Sequence, residues 1–488
     1  MPNDVKNEIF DFMPTVSATI EQEMVEEEHK EALIKSSLRI LSESLPDFVT
    51  FNSSIVDQMQ WERVANIELT DGTSEAECDL FMLVNEFCCN ALLPPIVGAQ
   101  FTESYPLLAM DLATFNQKFW ALGLGLPRMS PIQGLPGAAL AQKRLSKKFA
   151  KLFDDLTDPP VRRVPADDES ISGEEDTDAD TATPFTTLNE LFSKHDLSMD
   201  ARAAIGLRFV HGIVAEVVPL VFWTILHIYS ASTVRDAKDA EDTPLEKIKK
   251  ETKVWAQAVQ PPSIHPSFPA PPEIRYTPAI QTISANSFPL LYSCINEARR
   301  LYSCSTSTYM VKKAITLENA RTSRPGEQEQ WELDVGSYVD VGLSQTLINT
   351  SPSHHLSPSK FQPDRFISQK APASIRPPED TTEPYRSALV ASLVAGITQL
   401  WDITPAPKKT FLDRIQEAGA EASMGAAALS GEPKAKADGS VTEEKKTGEW
   451  ILPQAVDGAR VQVPRSDSRV RIRRREHLPS SHVVGRIG

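Results

Sequence analysis

The chain opens with helical spacing. Ile9, Phe12, Met13, Val16 and Ile20, then Leu33, Leu38, Leu41 and Leu45, predict helices across residues 5–50. Leu80, Phe81, Leu83, Val84 and Phe87 continue that pattern over residues 78–95. Residues 105–155 read as helix-forming but broken at Pro127, Pro131 and Pro136, and helical character returns over 187–260. Inside that last stretch, Phe209 to Tyr229 is apolar on every side. It carries His211, Glu216, Pro219 and His227, which are expensive in lipid, so it predicts the buried central helix of a large globular protein.

Further along the pattern changes. Proline-rich coil covers 261–273, a helix fits 284–302, and Thr308 to Val311, Trp331 to Leu333 and Tyr338 to Val341 read as strands. A last helix fits Tyr385 to Trp401, and residues 404–447, rich in Ala, Lys, Glu and Gly, are low in complexity. Val461 to Val463 and Arg469 to Arg473 alternate at period two and predict closing strands. The fold class is therefore mainly α with small β-sheets.

A chain of 488 residues suggests about three domains at roughly 150 residues each. No break separates its periodic segments, so we expect one large helical domain over 1–403 with an acidic loop at 157–186 inside it. An insertion (404–447), strands of the same domain (448–476) and a tail (477–488) complete it. The net charge of -16 argues against a sequence-independent hold on nucleic acid. Half of that charge is local, because Asp167 to Asp180 holds eight acids and no base, which takes -16 to -8 when removed. Early acids such as Glu8, Asp11 and Glu21 leave no basic-then-apolar order, so we expect a soluble, cytosolic protein without a membrane anchor. Asn52-Ser53-Ser54 and Asn349-Thr350-Ser351 match glycosylation sequons that carry nothing without secretion.

Standard catalytic motifs are missing: there is no phosphate loop, no His-Glu-x-x-His and no Gly-x-Ser-x-Gly. Gly123-Leu124-Gly125 lacks the third glycine of a dinucleotide loop, and the adjacent His354 and His355 point apart. Two motifs stand out. Glu297 and Arg300 share one face of a helix at i,i+3. Phe361-Gln362-Pro363-Asp364-Arg365-Phe366 follows about sixty residues later and offers an arginine to that pair.

Together these resemble the cytochrome P-450 superfamily, in which Glu297, Arg300 and Arg365 would form the buried Glu-Arg-Arg cluster. Gln60-Trp61-Glu62-Arg63, Leu126-Pro127-Arg128 and Pro219-Leu220-Val221-Phe222-Trp223 are similar to fungal members related to sterol 7α-hydroxylases and prostacyclin synthase. Trp450-Ile451-Leu452-Pro453 through Val470-Arg471-Ile472-Arg473 resembles their last strands. The resemblance implies a P-450-like fold, here shortened at its N-terminus.

The departures from that family carry the functional expectation. Its members ligate haem iron through a cysteine in a loop before the last long helix. Here that loop reads Arg376-Pro377-Pro378-Glu379-Asp380-Thr381-Thr382-Glu383-Pro384-Tyr385-Arg386, with Glu383 in the cysteine slot. The five cysteines lie at 78, 88, 89, 294 and 304, and none follows Cys304. Where many members keep an acid-alcohol pair for oxygen activation, Glu216 is followed by Val217. We therefore expect no haem, no metal, no redox partner and no monooxygenase activity.

Without haem, such a fold would keep an apolar hollow sized for a terpenoid or polyketide beside the central helix. His211, Glu216 and Val217 would line it, joined by Ser305, Thr306 and Ser307, with Glu216 as the polar contact. Such a hollow suits an intramolecular cycloaddition, which needs substrate folding and a hydrogen bond to an activating carbonyl. On pathway logic the expected function is a Diels–Alderase-type cyclase of fungal terpenoid metabolism, as in norbornene formation in sordarin-type pathways. The alternatives are a non-catalytic carrier or scaffold for a hydrophobic ligand, and a monooxygenase whose cysteine loop was lost by mis-splicing. Glu216 itself has a purely structural alternative, as a partner for His211 or an arginine.

Overall fold

The computed structural model describes residues 3–70, 74–159, 183–233, 242–262, 270–277, 283–304, 307–318, 330–341, 346–367, 382–407 and 448–480. The acidic run Asp167 to Asp180, Ser305, Thr306, residues 368–381 and residues 408–447 lie outside them. In chain order the first half comprises α1 (Asn3–Val25), α2 (Glu27–Ser44), α3 (Gln60–Val64), β1 (Glu68–Leu69), β2 (Glu75–Asp79) and α4 (Leu80–Leu92). Then come α5 (Pro94–Val97), α6 (Ala99–Ser104), α7 (Leu108–Gln117), α8 (Phe119–Gly123), α9 (Leu135–Thr157), α10 (Pro184–Lys194) and α11 (Met199–Ala231).

The second half starts with α12 (Pro244–Thr252), β3 (Ala256–Val259), β4 (Glu273–Tyr276), α13 (Pro289–Tyr302) and β5 (Ser307–Met310). It continues through β6 (Ile315–Glu318), β7 (Gln330–Leu333), β8 (Tyr338–Val341), α14 (Thr346–Asn349) and α15 (Glu383–Leu400). β9 (Trp401–Pro405), β10 (Ala455–Val456), β11 (Val463–Pro464) and β12 (Arg469–Arg474) close the chain. The protein is mainly helical with small antiparallel sheets.

Proline sets many helix starts. Pro136, expected as a breaker, sits in the first turn of α9, where its missing N–H costs nothing. Pro184, Pro244 and Pro289 do the same for α10, α12 and α13. Thr183, Ser198 and Thr243 cap their helices by accepting from the N–H groups of Thr186, Ala201 and Glu246. Two expectations need correcting. Residues 256–259, expected helical, pair as β3 with β4, and Trp401, expected as a helix end, begins β9. In both places a strand partner from a distant segment decides the conformation.

The main sheet runs in the order β1-β2-β12-β9. Ile472 on β12 faces Ala76 and Ile403 across its neighbours, and its arginines alternate outward onto acids. Arg471 pairs with the buried Glu77 at 2.8 Å and Arg469 with Glu68 at 2.9 Å, so the C-terminal arginine run is a half-buried, ion-paired strand face. One hydrophobic core runs from Val5 to Ile472, with α11 packed against α4, α9, α13 and α15. Gly396 on α15 has no room for a side chain, because a Cβ there would collide with the Tyr276 hydroxyl and Leu45. Leu80–Val97 and Met199–Ala231 are long and apolar enough to cross a membrane, and 72% and 89% of their apolar windows are buried inside the fold.

Candidate functional site

Glu216 lies near the middle of α11 and is buried. Its Oε1 accepts from Nη2 of Arg299 on α13 at 3.1 Å, and its Oε2 from Nε of Arg386 on α15 at 2.8 Å. Nη1 of Arg460, in the β10–β11 connection, reaches Oε2 at 3.4 Å. Arg299 also donates to Glu383 at 3.2 Å and to the Ser387 hydroxyl at 3.2 Å, and that hydroxyl donates to Glu383. Guanidinium groups only donate, so Glu216 acts here as an acceptor and counter-ion, which matches the structural alternative of an arginine partner. The expectation that it lines a ligand hollow is corrected by this cluster.

The neighbouring candidates are apolar or inert. His211 is buried between the rings of Phe115 and Phe119, and its Nε2 has no hydrogen-bond partner. Burial, reinforced by Arg460, pushes its pKa down to about 3, so it is a neutral imidazole at any ordinary pH. It does not pair with Glu216. Val217 is fully enclosed in the core. Ser305 and Thr306 fall outside the described residues, and Ser307 opens β5 without a described side chain.

The structure brings Glu297, Arg300 and Arg365 together. Arg300 grips Glu297 through two bonds of 2.8 Å, and Arg365 Nε lies 2.9 and 3.0 Å from the two carboxylate oxygens. The Gln362 N–H also donates to Glu297, which ties Phe361 to Phe366 onto α13. All of this is structural.

A haem, which the P-450 resemblance implies for the whole family, does not fit the donors present. Thiolate ligation in that family comes from a cysteine in the loop before the last long helix. The cysteines here stand on β2 (Cys78), on α4 (Cys88 and Cys89), on α13 (Cys294) and just after it (Cys304), and none lies in the segment before α15. Glu383, in the family's cysteine slot, is taken up by Arg299 and Ser387. Among the described residues, no three His, Cys, Asp or Glu side chains converge as a metal site.

The ligand-sized space lies elsewhere on α11. A cleft of about 180 Å³ opens between α4, α7, α11 and β11, with Phe81, Met82, Leu112, Val214, Val218 and Pro219 as its apolar wall. At about 100° per residue, Glu216 lies some 200° around the helix from both Val214 and Val218, which is why it misses the cleft. Asn85, Asn116, Arg465 and Asp467 contribute polar lining, beside Thr114 and Gln117 of α7. Asp467 accepts from the N–H groups of Phe81 and Met82 at 2.7 and 2.8 Å, capping α4. Burial outweighs those bonds and raises its pKa to about 6.

Sequence reasoning missed these cleft residues, along with Arg299 and Arg386 of the cluster. Arg299 lies between Glu297 and Arg300 on α13, and Arg386 closes the segment that holds Glu383. This cleft among the described residues is smaller than the expected hollow. An apolar cavity of about 150 Å³ accepts a benzene-sized ring, so this cleft suits one small ring rather than a whole terpenoid. No protein-family model matches the chain, and no curated protein proves similar to it.

Proposed function

We propose that this chain is a haem-free derivative of the P-450 scaffold that folds an apolar substrate for an intramolecular cycloaddition of the Diels–Alder type. The observation that carries the reading is the cleft beside Val214, Val218 and Pro219. It is mostly apolar, about 180 Å³ in volume and edged by a few N–H donors. Six carbons change bonding in such a cycloaddition, and that ring fits the cleft while the rest of the substrate lies across its open mouth. Holding diene and dienophile in contact removes much of the entropic barrier. Arg465 at the rim and Asn116 inside carry donors for a carbonyl on the dienophile. The Glu216 cluster supports the haem-free part, because it braces α11, α13 and α15 together with ionic contacts where the family resemblance would place the cofactor. On this reading the protein works in the cytosol on a hydrophobic small molecule, without a redox partner or nucleic acid.

One observation favours a carrier instead. The Asn116 oxygen accepts from the Ala459 N–H at 2.9 Å, and Asn85 donates to the Ala109 carbonyl at 3.2 Å, so part of the polar lining is already engaged. A single series of measurements separates the readings. The purified protein should show no Soret band when oxidised or when reduced with carbon monoxide, and a thiolate-type band would overturn the haem-free scaffold. A linear 1,3-diene tethered to an unsaturated carbonyl should cyclise faster and with altered stereochemistry, and Arg465→Ala should slow it by about 10²-fold. Binding of that substrate without any change in rate or stereochemistry would leave only the carrier.

A further inference from the structure

A second cavity lies along α4, next to its contact with α7. Glu86 is 1% exposed, and neither oxygen of its carboxyl has a hydrogen-bond partner. It borders a space of about 10 Å³ whose polar lining comes from Gln60, Cys89, Asn90, Thr102 and Tyr105. That volume is about one water molecule, and the lining is polar enough to hold one. Two orphaned oxygens at such burial are costly, and native structures rarely leave them without water. Nothing in the Glu216 cluster or the cleft uses this group.

We propose that the cavity is a water- and proton-binding site, in which Glu86 exchanges between a neutral carboxyl and a hydrated carboxylate and so sets how firmly α4 is held against α7. The geometry connects the two states to that seam. Asn85, the next residue back, donates to the carbonyl of Ala109 on α7 at 3.2 Å, and Ala109 itself lines the cavity. Ionisation requires more water than one small cavity holds, and the α4–α7 contact, which borders the cavity through Leu108 and Ala109, is the wall on which the proposal places that opening.

The surrounding groups leave Glu86 without a counter-ion among the lining residues. From α4 itself comes the Cys89 thiol, raised far above its ordinary value by burial and by Glu86. From the turn before α7 comes the Tyr105 hydroxyl, also raised by burial and by its bond to Asp111. Asp111 in turn is paired with Arg144 on α9. Gln60 of α3 and Thr102 of α6 are neutral, and α2, α5, α11 and β2 contribute no lining residue.

Burial accordingly raises Glu86 from 4.5 to about 7. The folded state then binds this proton more tightly than the unfolded chain, so the contribution is full below about 4.5 and is lost as pH rises to about 7. One proton changes the unfolding constant by up to about tenfold per pH unit inside that window.

The test compares the full-length protein with Glu86→Gln at pH 5.5 and pH 8. Denaturant unfolding of the wild type should weaken between those values, and Glu86→Gln should remove up to tenfold per pH unit of that change in the unfolding constant. Amide exchange in α4 and α7, corrected for intrinsic rate, should quicken several-fold at pH 8 in the wild type and stay level in the variant. Equal pH dependence in both proteins overturns the proposal. If Glu86→Gln fails to fold, infrared difference spectra of the wild type decide. A protonated-carboxyl band that disappears as pH rises through about 7, with the α4–α7 amides opening in step, supports the site. A wild-type protein lacking either change overturns it.

Discussion

Arg299 and Arg300 are neighbours on α13, and each enters a buried cluster of carboxylates and guanidiniums. Arg300 turns back one helical turn to Glu297, where Arg365 joins from the segment after α14. Its remaining N–H groups go to the carbonyls of Asn349 and Pro358, and those of Arg365 to Leu356 and Ser357. The result is a densely hydrogen-bonded lock between one helix and one loop. Arg299 turns the other way, to Glu216 on α11 and Glu383 at the start of α15. That second cluster joins three helices and reaches solvent through Arg460, whose side chain is 31% exposed. The same chemistry therefore performs two tasks, and their difference lies in closure. The first cluster fixes a local connection, whereas the second braces three helices against one another.

The largest expected effect tests the closed cluster. Glu297→Ala leaves Arg300 and Arg365, whose side chains are 0% and 7% exposed, without their shared counter-ion. Breaking such a pair costs about 3–5 kcal/mol, a large share of the roughly 5–15 kcal/mol that a folded domain possesses. We expect little soluble protein, or an unfolding free energy from urea denaturation lowered by that amount. A shift below about 1 kcal/mol would mean that the lock contributes little beyond geometry.

Next in size is the open cluster. Glu216→Leu removes an acceptor from Arg299, Arg386 and Arg460, but Arg299 keeps Glu383 and Ser387, and Arg386 keeps the Thr382 hydroxyl. Loss of a few charge-assisted bonds with partial compensation is expected to cost about 2–3 kcal/mol. Pairing it with Arg386→Met should recover part of that loss, because a buried charge is then removed together with its partner. Urea denaturation of the single and double variants reads both effects. If the double variant is no more stable than Glu216→Leu, the cluster acts through Arg299 alone.

How far each cluster was legible in the sequence follows from the same contrast. Glu297 and Arg300 are three residues apart on one helix, and the Pro-Asp-Arg motif carried the third member, so spacing and resemblance sufficed. Glu216 was visible as an acid in an apolar helix, but its partners stand 83, 170 and 244 residues away. No local period encodes such distances. The cleft was less legible still, since Asp467 caps α4 across 386 residues and the polar lining comes from α4, α7 and the β11–β12 connection. The helices themselves were readable wherever apolar spacing and a first-turn proline agreed. β3 and β9 were not, because their strand character depends on partners that the segments do not contain.

The smallest expected effect isolates burial as the cause of these differences. Arg39 and Glu43 on α2 form an ion pair at 3.4 Å with the i,i+4 spacing, and their side chains are 60% and 63% exposed. The charges are the same types as in the Glu297 lock. Water screens them, however, and holding two long side chains together costs rotamer freedom. Arg39→Ala should therefore change the unfolding free energy by no more than about 0.3–0.5 kcal/mol, and high salt should reduce even that. Denaturation at two ionic strengths checks both parts. A loss near that of Glu216→Leu would mean that α2 depends on this pair for its docking, and that solvent exposure does not separate strong from weak ion pairs in this protein.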